Sequence, residues 1–312
     1  MTLHRASGRW RLGLLLAFTT TLLWATLPVA LKVALEAIDP WTLTWFRFLV
    51  AAMLMGPWLI WRGRLPDFGR LSVVQWRLLA VAAVMLTGNF VLYLLGLHYT
   101  TPANAQLLIQ LAPLLLTIGG VVIFREQLAG GQWLGLALLV VGLSLFFSDQ
   151  LSVHHGWSYA VGSLLLVVGA VAWAIYGLAQ KQLLLGLDSA AVMGFIYCGA
   201  ALILWPTADH RQLLRLDRVH ALATAYCALN TIGAYGAFAE ALAHWEASRV
   251  GVVLALTPFM TIILMELLAR QNPGLVAPEH IAALGWTGAA LIVGGSMAVS
   301  LLGRRSVRTA PD

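Results

Sequence analysis

Charged residues are scarce in this chain: they fill 10% of its 312 positions, whereas about a quarter of residues are charged in soluble domains. This shortage excludes an ordinary globular domain with a fully hydrated surface. Cysteine is scarcer still, because only Cys198 and Cys227 occur, both inside long apolar stretches. Two such cysteines supply neither a disulfide framework nor a zinc site. A disulfide-stapled secreted fold is therefore excluded as well.

Apolar residues, by contrast, make up 60% of the chain and are gathered in long runs. A membrane-spanning helix needs about 17–25 such residues to cross roughly 30 Å of hydrocarbon. The pattern predicts an all-α membrane protein of ten transmembrane helices joined by short loops. The first span is too long, and too closely followed by others, for a cleaved signal peptide. The predicted spans are 12–34, 41–61, 73–97, 101–124, 132–149, 157–180, 189–206, 219–243, 247–270 and 279–303.

Landmarks of the first half of the chain return in the second half. Trp24 and Lys32 recur 149 residues later as Trp173 and Lys181. Each half holds five predicted spans, and an odd number means that the second copy crosses the membrane in the opposite orientation. Inverted repeats of this kind are typical of secondary transporters, in which two matched halves move about a central site. The predicted units are 1–149 and 150–312, each a five-helix repeat, the second ending in a short basic tail.

The net charge of +6 raises the question of nucleic-acid binding. The basic residues are nevertheless distributed by loop, because most fall in segments on the same side as the N-terminus. The cluster at 211–218 is the exception. An excess of Lys and Arg in cytoplasmic loops is the positive-inside rule. The distribution therefore predicts that both termini are cytoplasmic, and nucleic acid is not an expected partner.

Prolines and glycines mark weak points at equivalent places in the two halves. Pro113 and Pro258 lie in the middle of matching spans, and Pro28 matches Gly177. A proline within a helix removes one backbone hydrogen bond and bends the helix. We predict these four positions as hinges. The alternative is that they are ordinary membrane-helix residues, which tolerate proline and glycine.

Several motifs resemble the EamA repeat of the drug/metabolite transporter superfamily. They are HYTTPANA at 98–105, Pro113, REQL at 125–128, WLG at 133–135, and Arg47 early in the second span. The resemblance covers nearly the whole chain and implies a membrane transporter of small metabolites without specifying the substrate. Arg47 and Glu126 are interpreted as structural charges. The second copy departs from the first, since Ile196 and Gln271 stand at the positions that match them.

Polar side chains fall on single faces of the first, third, fourth, sixth and eighth spans, at helical spacings of three and four. Lipid does not tolerate them, so they are expected to face the interior of the bundle or a wet cavity. These helices resemble the set that surrounds the central cavity in drug/metabolite transporters. The predicted substrate pocket comprises Trp24, Asn89, Tyr93, Gln106, Gln110, Trp173, Gln180, Tyr226 and Asn230.

The pocket is predicted to be asymmetric and near the bilayer midplane, with Trp24 and Trp173 as apolar walls. Gly251 and Ala255 match Gln106 and Gln110, so one half supplies amide groups and the other supplies space. Two alternatives stay open at this stage. Tryptophan often anchors a helix at the membrane interface, and amides often bond only to a neighbouring helix.

Two charged residues within the spans need partners. Leaving Arg47 unpaired at mid-depth would cost about 3 kcal/mol, so a carboxylate or carbonyl partner is expected. Glu240 falls on the predicted face of Asn230, and a carboxylate in a partly dry cavity can exchange protons near neutral pH. Glu240 is therefore the candidate for proton coupling, with a structural salt bridge to Lys181 or Arg249 as the alternative.

These observations favour a secondary transporter, an exporter of a small amphipathic metabolite such as an amino acid, that works by alternating access with proton coupling. The alternatives are a non-transporting scaffold or lipid-flippase partner, and an intramembrane lipid-modifying enzyme. The adjacent pair His154 and His155 lacks the carboxylates that such an enzyme needs. The expected partners are a small-molecule substrate, membrane lipid and a second copy of the chain. No cofactor or metal is expected, and a bacterial inner membrane is the expected location.

Overall fold

The computed structural model describes residues 9–66, 68–125, 127–153, 156–245, 247–271 and 281–302. Within these ranges the regular structure is helical. The helices are α1 Trp10–Ala34, α2 Pro40–Trp61, α3 Val73–Tyr99, α4 Pro102–Leu108, α5 Leu111–Phe124, α6 Gly130–Val153, α7 Trp157–Leu183, α8 Ser189–Leu204, α9 His210–Leu213, α10 Arg218–His244, α11 Ala247–Leu254, α12 Thr257–Gln271 and α13 Ala283–Leu301.

In the described part of the chain, nine helical segments are long and apolar enough to cross a membrane. Two of them, Pro102–Phe124 and Arg249–Gln271, each consist of two consecutive helices with a short break. The remaining predicted span, 219–243, corresponds to α10. This helix has 27 residues, which is enough to cross a bilayer. Its polar side chains make it less apolar than the nine segments above, so it is not counted among them.

Matching aspartates begin matching helices in the two halves. The Asp39 carboxylate accepts hydrogen bonds from the backbone amides of Trp41 and Thr42 at the start of α2. Asp188, 149 positions later, accepts one from the amide of Ala190 at the start of α8. Carboxylates at this position satisfy amides that have no partner inside the helix and stabilise its positive end. The repeat thus preserves the signal that starts the second helix of each half.

The helix contacts are symmetrical when the two halves are exchanged. α1 packs on α10 and α12 of the other half. Its counterpart α7 packs in the same way on α3 and α5, the counterparts of α10 and α12. The pairs α2–α8 and α6–α13 each join equivalent helices. This is the pattern of contacts expected from two similar halves related by a pseudo-two-fold axis.

Lys32 ties the end of α1 to the end of α3. Its Nζ donates hydrogen bonds to the carbonyl oxygens of Leu97 at 2.9 Å, His98 at 3.0 Å and Thr100 at 2.7 Å. Carbonyls in the last turn of a helix have no internal partner and carry partial negative charge. The lysine therefore satisfies these groups and holds the two helices together at one end of the central region.

Candidate functional site

A cavity of about 430 Å³ lies between the two halves of the bundle. This volume is within the range of about 300–1,000 Å³ found for small-molecule sites. All five helical spans that the sequence predicted around a pocket contribute side chains, and α2, α11, α12 and α13 contribute as well. The cavity therefore belongs to both repeats.

The lining includes seven of the nine residues predicted for the pocket: Trp24, Asn89, Tyr93, Gln106, Gln110, Trp173 and Asn230. Gly251 and Ala255, the repeat partners of Gln106 and Gln110, also line it. Tyr226 and Gln180 lie outside this lining. Tyr226 lies in a shallow surface depression formed by α1, α10 and α12, and Gln180 lies beside Tyr176 on α7.

Aromatic rings form much of the cavity wall. The Trp24 ring contacts Tyr235 and Phe238 of α10, each with a distance of 5.7 Å between ring centroids. Trp173 lies beside the Tyr235 hydroxyl, so the two repeat-related tryptophans meet the same tyrosine. Such rings offer a large apolar surface to a bound molecule.

Amide side chains are fixed by hydrogen bonds to backbone and hydroxyl groups. Asn89 Nδ2 donates to the Gly169 carbonyl at 2.9 Å, which joins α3 to α7. The Tyr93 hydroxyl donates to Gln106 Oε1 at a longer 3.4 Å. These bonds keep the polar groups of the first half in defined positions along the wall.

Asn230 is held through the nitrogen of its amide. Its Nδ2 donates to the Leu23 carbonyl at 2.8 Å and to the Tyr226 hydroxyl at 3.0 Å. A carbonyl only accepts, so the bond to Leu23 determines which end of the amide is nitrogen. The buried Oδ1 atom has no partner among the described residues. Tyr226 thus orients a cavity residue although it does not line the cavity.

Breaks in two spans occur next to the predicted hinge prolines. Between α4 and α5 the helix is interrupted at 109–110, and Pro113 is the third residue of α5. Between α11 and α12 it is interrupted at 255–256, and Pro258 is the second residue of α12. Both breaks place backbone and side chains against the cavity, since Gln110 and Ala255 line it. Helices interrupted in this way form the binding sites of many secondary transporters.

The carbonyls that the two prolines cannot bond are satisfied locally. The Ile109 carbonyl, four residues before Pro113, accepts instead from the amide of Ala112 at 2.9 Å. The Leu254 carbonyl, four before Pro258, accepts from the Thr257 hydroxyl. Pro28 lies inside an uninterrupted α1 and lines the cavity.

Gly177, the repeat partner of Pro28, gives α7 room for a neighbour. A Cβ at this position would lie 2.9 Å from the nearest Leu116 side-chain atom, so α5 approaches α7 closely here. The hinge role of Pro28, Pro113, Gly177 and Pro258 stays a prediction.

Arg47 lines the cavity, although the sequence placed it among the structural charges. Only 3% of the surface of Arg47 is exposed to solvent. Its Nε donates to the Thr231 hydroxyl at 3.1 Å, and its Cζ lies 4.7 Å from the centroid of the Phe90 ring. The expected carboxylate or carbonyl is therefore replaced by a hydroxyl and an aromatic face.

Glu240 lies away from the cavity lining, with a side chain that is 62% exposed. Its Oε1 is 3.2 Å from Nε2 of His244, one turn further along α10. Glu126, the second predicted structural charge, and the histidines at 154 and 155 lie outside the described residues. No role is assigned to these three from the structure.

Sequence reasoning missed part of the lining. Tyr235 and Phe238 on α10, and Ser296 and Ser300 on α13, also border the cavity. The two serines are four residues apart, a spacing that puts them on one helix face. This polar face of the last predicted span could have identified it from the sequence as a helix that lines the cavity.

Both halves of the chain match the model of the EamA-like transporter family, at residues 11–148 and 160–301. An uncharacterized transporter of Haemophilus influenzae is 35% identical over 295 residues, with 94% of this chain and 96% of the relative covered. The uncharacterized inner membrane transporter YhbE of Escherichia coli is 35% identical over 297 residues, covering 94% and 92%. A probable amino-acid metabolite efflux pump of Salmonella typhimurium is 25% identical over 308 residues, covering 95% and 96%.

One crystal structure of a protein superimposes with a TM-score of 0.63 at 22% identity, covering 95% of this chain and 99% of the other. At that identity the likeness shows a shared fold and nothing about substrate. The family match, in contrast, covers most of the chain in two copies. The chain is a member of the EamA-like transporter family, within the drug/metabolite transporter superfamily.

Proposed function

We propose that this protein is a secondary transporter that exports a small amphipathic metabolite, such as an amino acid, by alternating access. The observation that carries the proposal is a cavity between two halves, lined at symmetrical helix breaks by residues of both repeats. Family membership and the names of the relatives indicate a transporter rather than an enzyme. The amino-acid class draws on the relative named as a probable amino-acid metabolite efflux pump.

The protein is an integral membrane protein of the bacterial inner membrane, as its nine apolar spans and the relatives named inner membrane transporters support. We further infer that α10 crosses the membrane as a tenth span, so that units 1–149 and 150–312 are inverted repeats with both termini in the cytoplasm. The symmetrical helix contacts support this arrangement. Alternating access then corresponds to relative movement of the two halves about the cavity.

The proposal is tested by comparing metabolites in the medium of cells that overproduce the protein with those of cells that lack it. At least one small amphipathic compound is expected to accumulate outside the overproducing cells. Trp24→Ala and Gln110→Ala should then each lower its efflux about tenfold. Burying a large aromatic side chain contributes about 1.5–3 kcal/mol, and leaving a buried polar partner without its hydrogen bond costs about 1–3 kcal/mol.

Trp157→Ala serves as the matched control, because Trp157 is 85% exposed at the start of α7. This variant should keep full efflux at the same amount of protein in the membrane. Unaltered medium would contradict transport and favour a scaffold or flippase partner. Full efflux by both cavity variants would contradict the pocket assignment alone.

A further inference from the structure

Arg47 brings to the cavity a positive charge that no carboxylate of the described residues neutralises. Of the charged residues in the described ranges, Arg47 alone lines the cavity. No carboxylate lies within salt-bridge distance of it in that part of the chain. Its other close polar neighbours, Tyr93, Cys227 and Tyr235 among them, are uncharged in their ordinary state at pH 7.

Most donor groups of this guanidinium are also unused. Arginine has five N–H donors, and the hydrogen bond described for Arg47 uses the one on Nε. The two terminal amino groups have no acceptor among the described residues. These two groups are not fully buried. Because Arg47 lines the cavity, they face the cavity and not the packed interior.

The surroundings fix the guanidinium rather than compensate for its charge. Phe90 covers one face of the group, and Thr231 accepts from its inner edge. An unpaired charge in a poorly hydrated site is costly and is stabilised by an opposite charge with good hydrogen-bond geometry. A carboxylate matches the free edge of a guanidinium with two parallel hydrogen bonds.

The second half of the chain provides no equivalent cation. Position 196, the repeat partner of Arg47, is an isoleucine that is fully buried in the core. As far as the described residues go, the cavity therefore has a single cationic point, and Trp24 and Phe238 offer apolar surface elsewhere on its wall. One cationic point with aromatic walls suits an organic molecule that is anionic at one end and apolar at the other.

We propose that Arg47 is the residue that selects the substrate, by binding the carboxylate of an amphipathic organic acid in the cavity. This inference rests on the proposed function, and it names the substrate class that the transporter accepts. The proposal is tested by comparing compounds that have the same shape but different charge. The acid is therefore expected to bind, whereas its neutral amide and its amine are rejected.

Three compounds with the same phenylpropyl body test the proposal: 3-phenylpropionate, 3-phenylpropanamide and 3-phenylpropylamine. Equilibrium binding of radiolabelled 3-phenylpropionate to the purified full-length protein is measured, with the amide, the amine and inorganic phosphate as competitors. We expect the acid to bind, and the three competitors to be at least about tenfold weaker than unlabelled acid. Arg47→Met should remove the preference for acid over amide, and Arg47→Lys should keep part of it.

The matched control is Arg77→Met, which removes the same charge from an exposed position on α3 outside the cavity. It should leave the preference unchanged. If Arg47 only holds α2 to α10, Arg47→Met lowers thermal stability but the remaining folded protein still prefers acid over amide, and the proposal is wrong. Absence of binding by the acid, equal competition by the amide or amine, or equal competition by phosphate also overturns it.

The outcomes separate this proposal from the proposed function. Export of a compound without an anionic group would leave transport standing and refute the role of Arg47. Binding of the acid that depends on Arg47, without any export from cells, would leave the role of Arg47 standing and refute transport.

Discussion

At the scale of single residues, the cavity shows how two copies of one repeat came to differ. Gln106 and Gln110 of the first copy and their repeat partners Gly251 and Ala255 of the second line the same cavity. The duplicated helices keep their positions, because the small residues allow the same path for the backbone. Their side chains no longer match, so the amide groups at these paired positions come from the first half. An asymmetric molecule fits such a cavity better than a symmetrical one.

Glu240 remains the candidate for proton coupling, now as one partner of an acid–histidine pair on α10. Glu240→Gln is expected to remove the dependence of efflux on a proton gradient, because an amide cannot exchange the proton. Flux would be measured in proteoliposomes with and without an imposed pH difference. Unchanged dependence would exclude this role.

The chain offers a close control for this experiment. Glu266 pairs with Arg270 one turn later on α12, with 2.9 Å between Oε1 and a terminal guanidinium nitrogen. It is also exposed and lies outside the cavity lining. Glu266→Gln removes the same charge from a similar pair, and it should leave the dependence on the gradient intact.

At the scale of helices, glycines determine how closely the last helices of the two halves approach. Gly135 and Gly142 on α6 meet α13 at Gly295 and Gly288. The sequence aligns Gly135 with Gly288 and Gly142 with Gly295, each 153 residues apart. Each glycine therefore contacts the repeat partner of the other, as a two-fold axis requires. Small residues allow such close backbone packing in membranes.

Gly295→Ala is expected to destabilise the protein. A Cβ at this position would lie 2.6 Å from the Gly135 carbonyl oxygen and 2.8 Å from the Leu139 amide nitrogen. Both are backbone atoms that cannot move independently, so α6 and α13 must separate. Overpacking of this kind costs about 1–3 kcal/mol, and the loss would be measured as a lower thermal unfolding midpoint in detergent.

The adjacent Gly294→Ala variant is the control, because a Cβ there meets no atom within 4 Å. Alanine favours a helix over glycine by up to about 1 kcal/mol. Gly294→Ala should therefore unfold at the same temperature as the parent protein or higher. A similar loss of stability in both variants would contradict the close contact between the two helices.

At the scale of the whole molecule, the decisive property is the orientation of the halves. Glu36 and Leu185 are repeat partners, 149 positions apart, and both are exposed just beyond the ends of α1 and α7. If the repeats are inverted, these two positions face opposite compartments. Single cysteines placed there, in a background with Cys198 and Cys227 replaced by serine, are expected to react with a membrane-impermeant maleimide from opposite sides.

The labelling has an internal control, because permeabilised cells should label both positions. Reaction of both cysteines from the same side in intact cells would contradict the inverted arrangement. It would also remove the physical basis for alternating access about a pseudo-two-fold axis.

The eighth predicted span shows the limit of sequence patterns for a single helix. The sequence grouped Tyr226, Asn230 and Glu240 on one face, whereas the cavity face of α10 is formed by Asn230, Thr231, Tyr235 and Phe238. This is a rotation of about one residue, or roughly 100°. This rotation explains why both Tyr226 and Glu240 lie outside the lining of the cavity.

The sequence by itself determined the helical spans and the duplication, and it named seven of the residues that line the cavity. Length and apolarity decide which segments enter a bilayer, and the helical period decides which side chains share a face. Only the tertiary structure decided which neighbour each face meets. Tilt and rotation depend on contacts between helices that are distant in the chain, and these contacts turned Arg47 toward the cavity and Glu240 away from it.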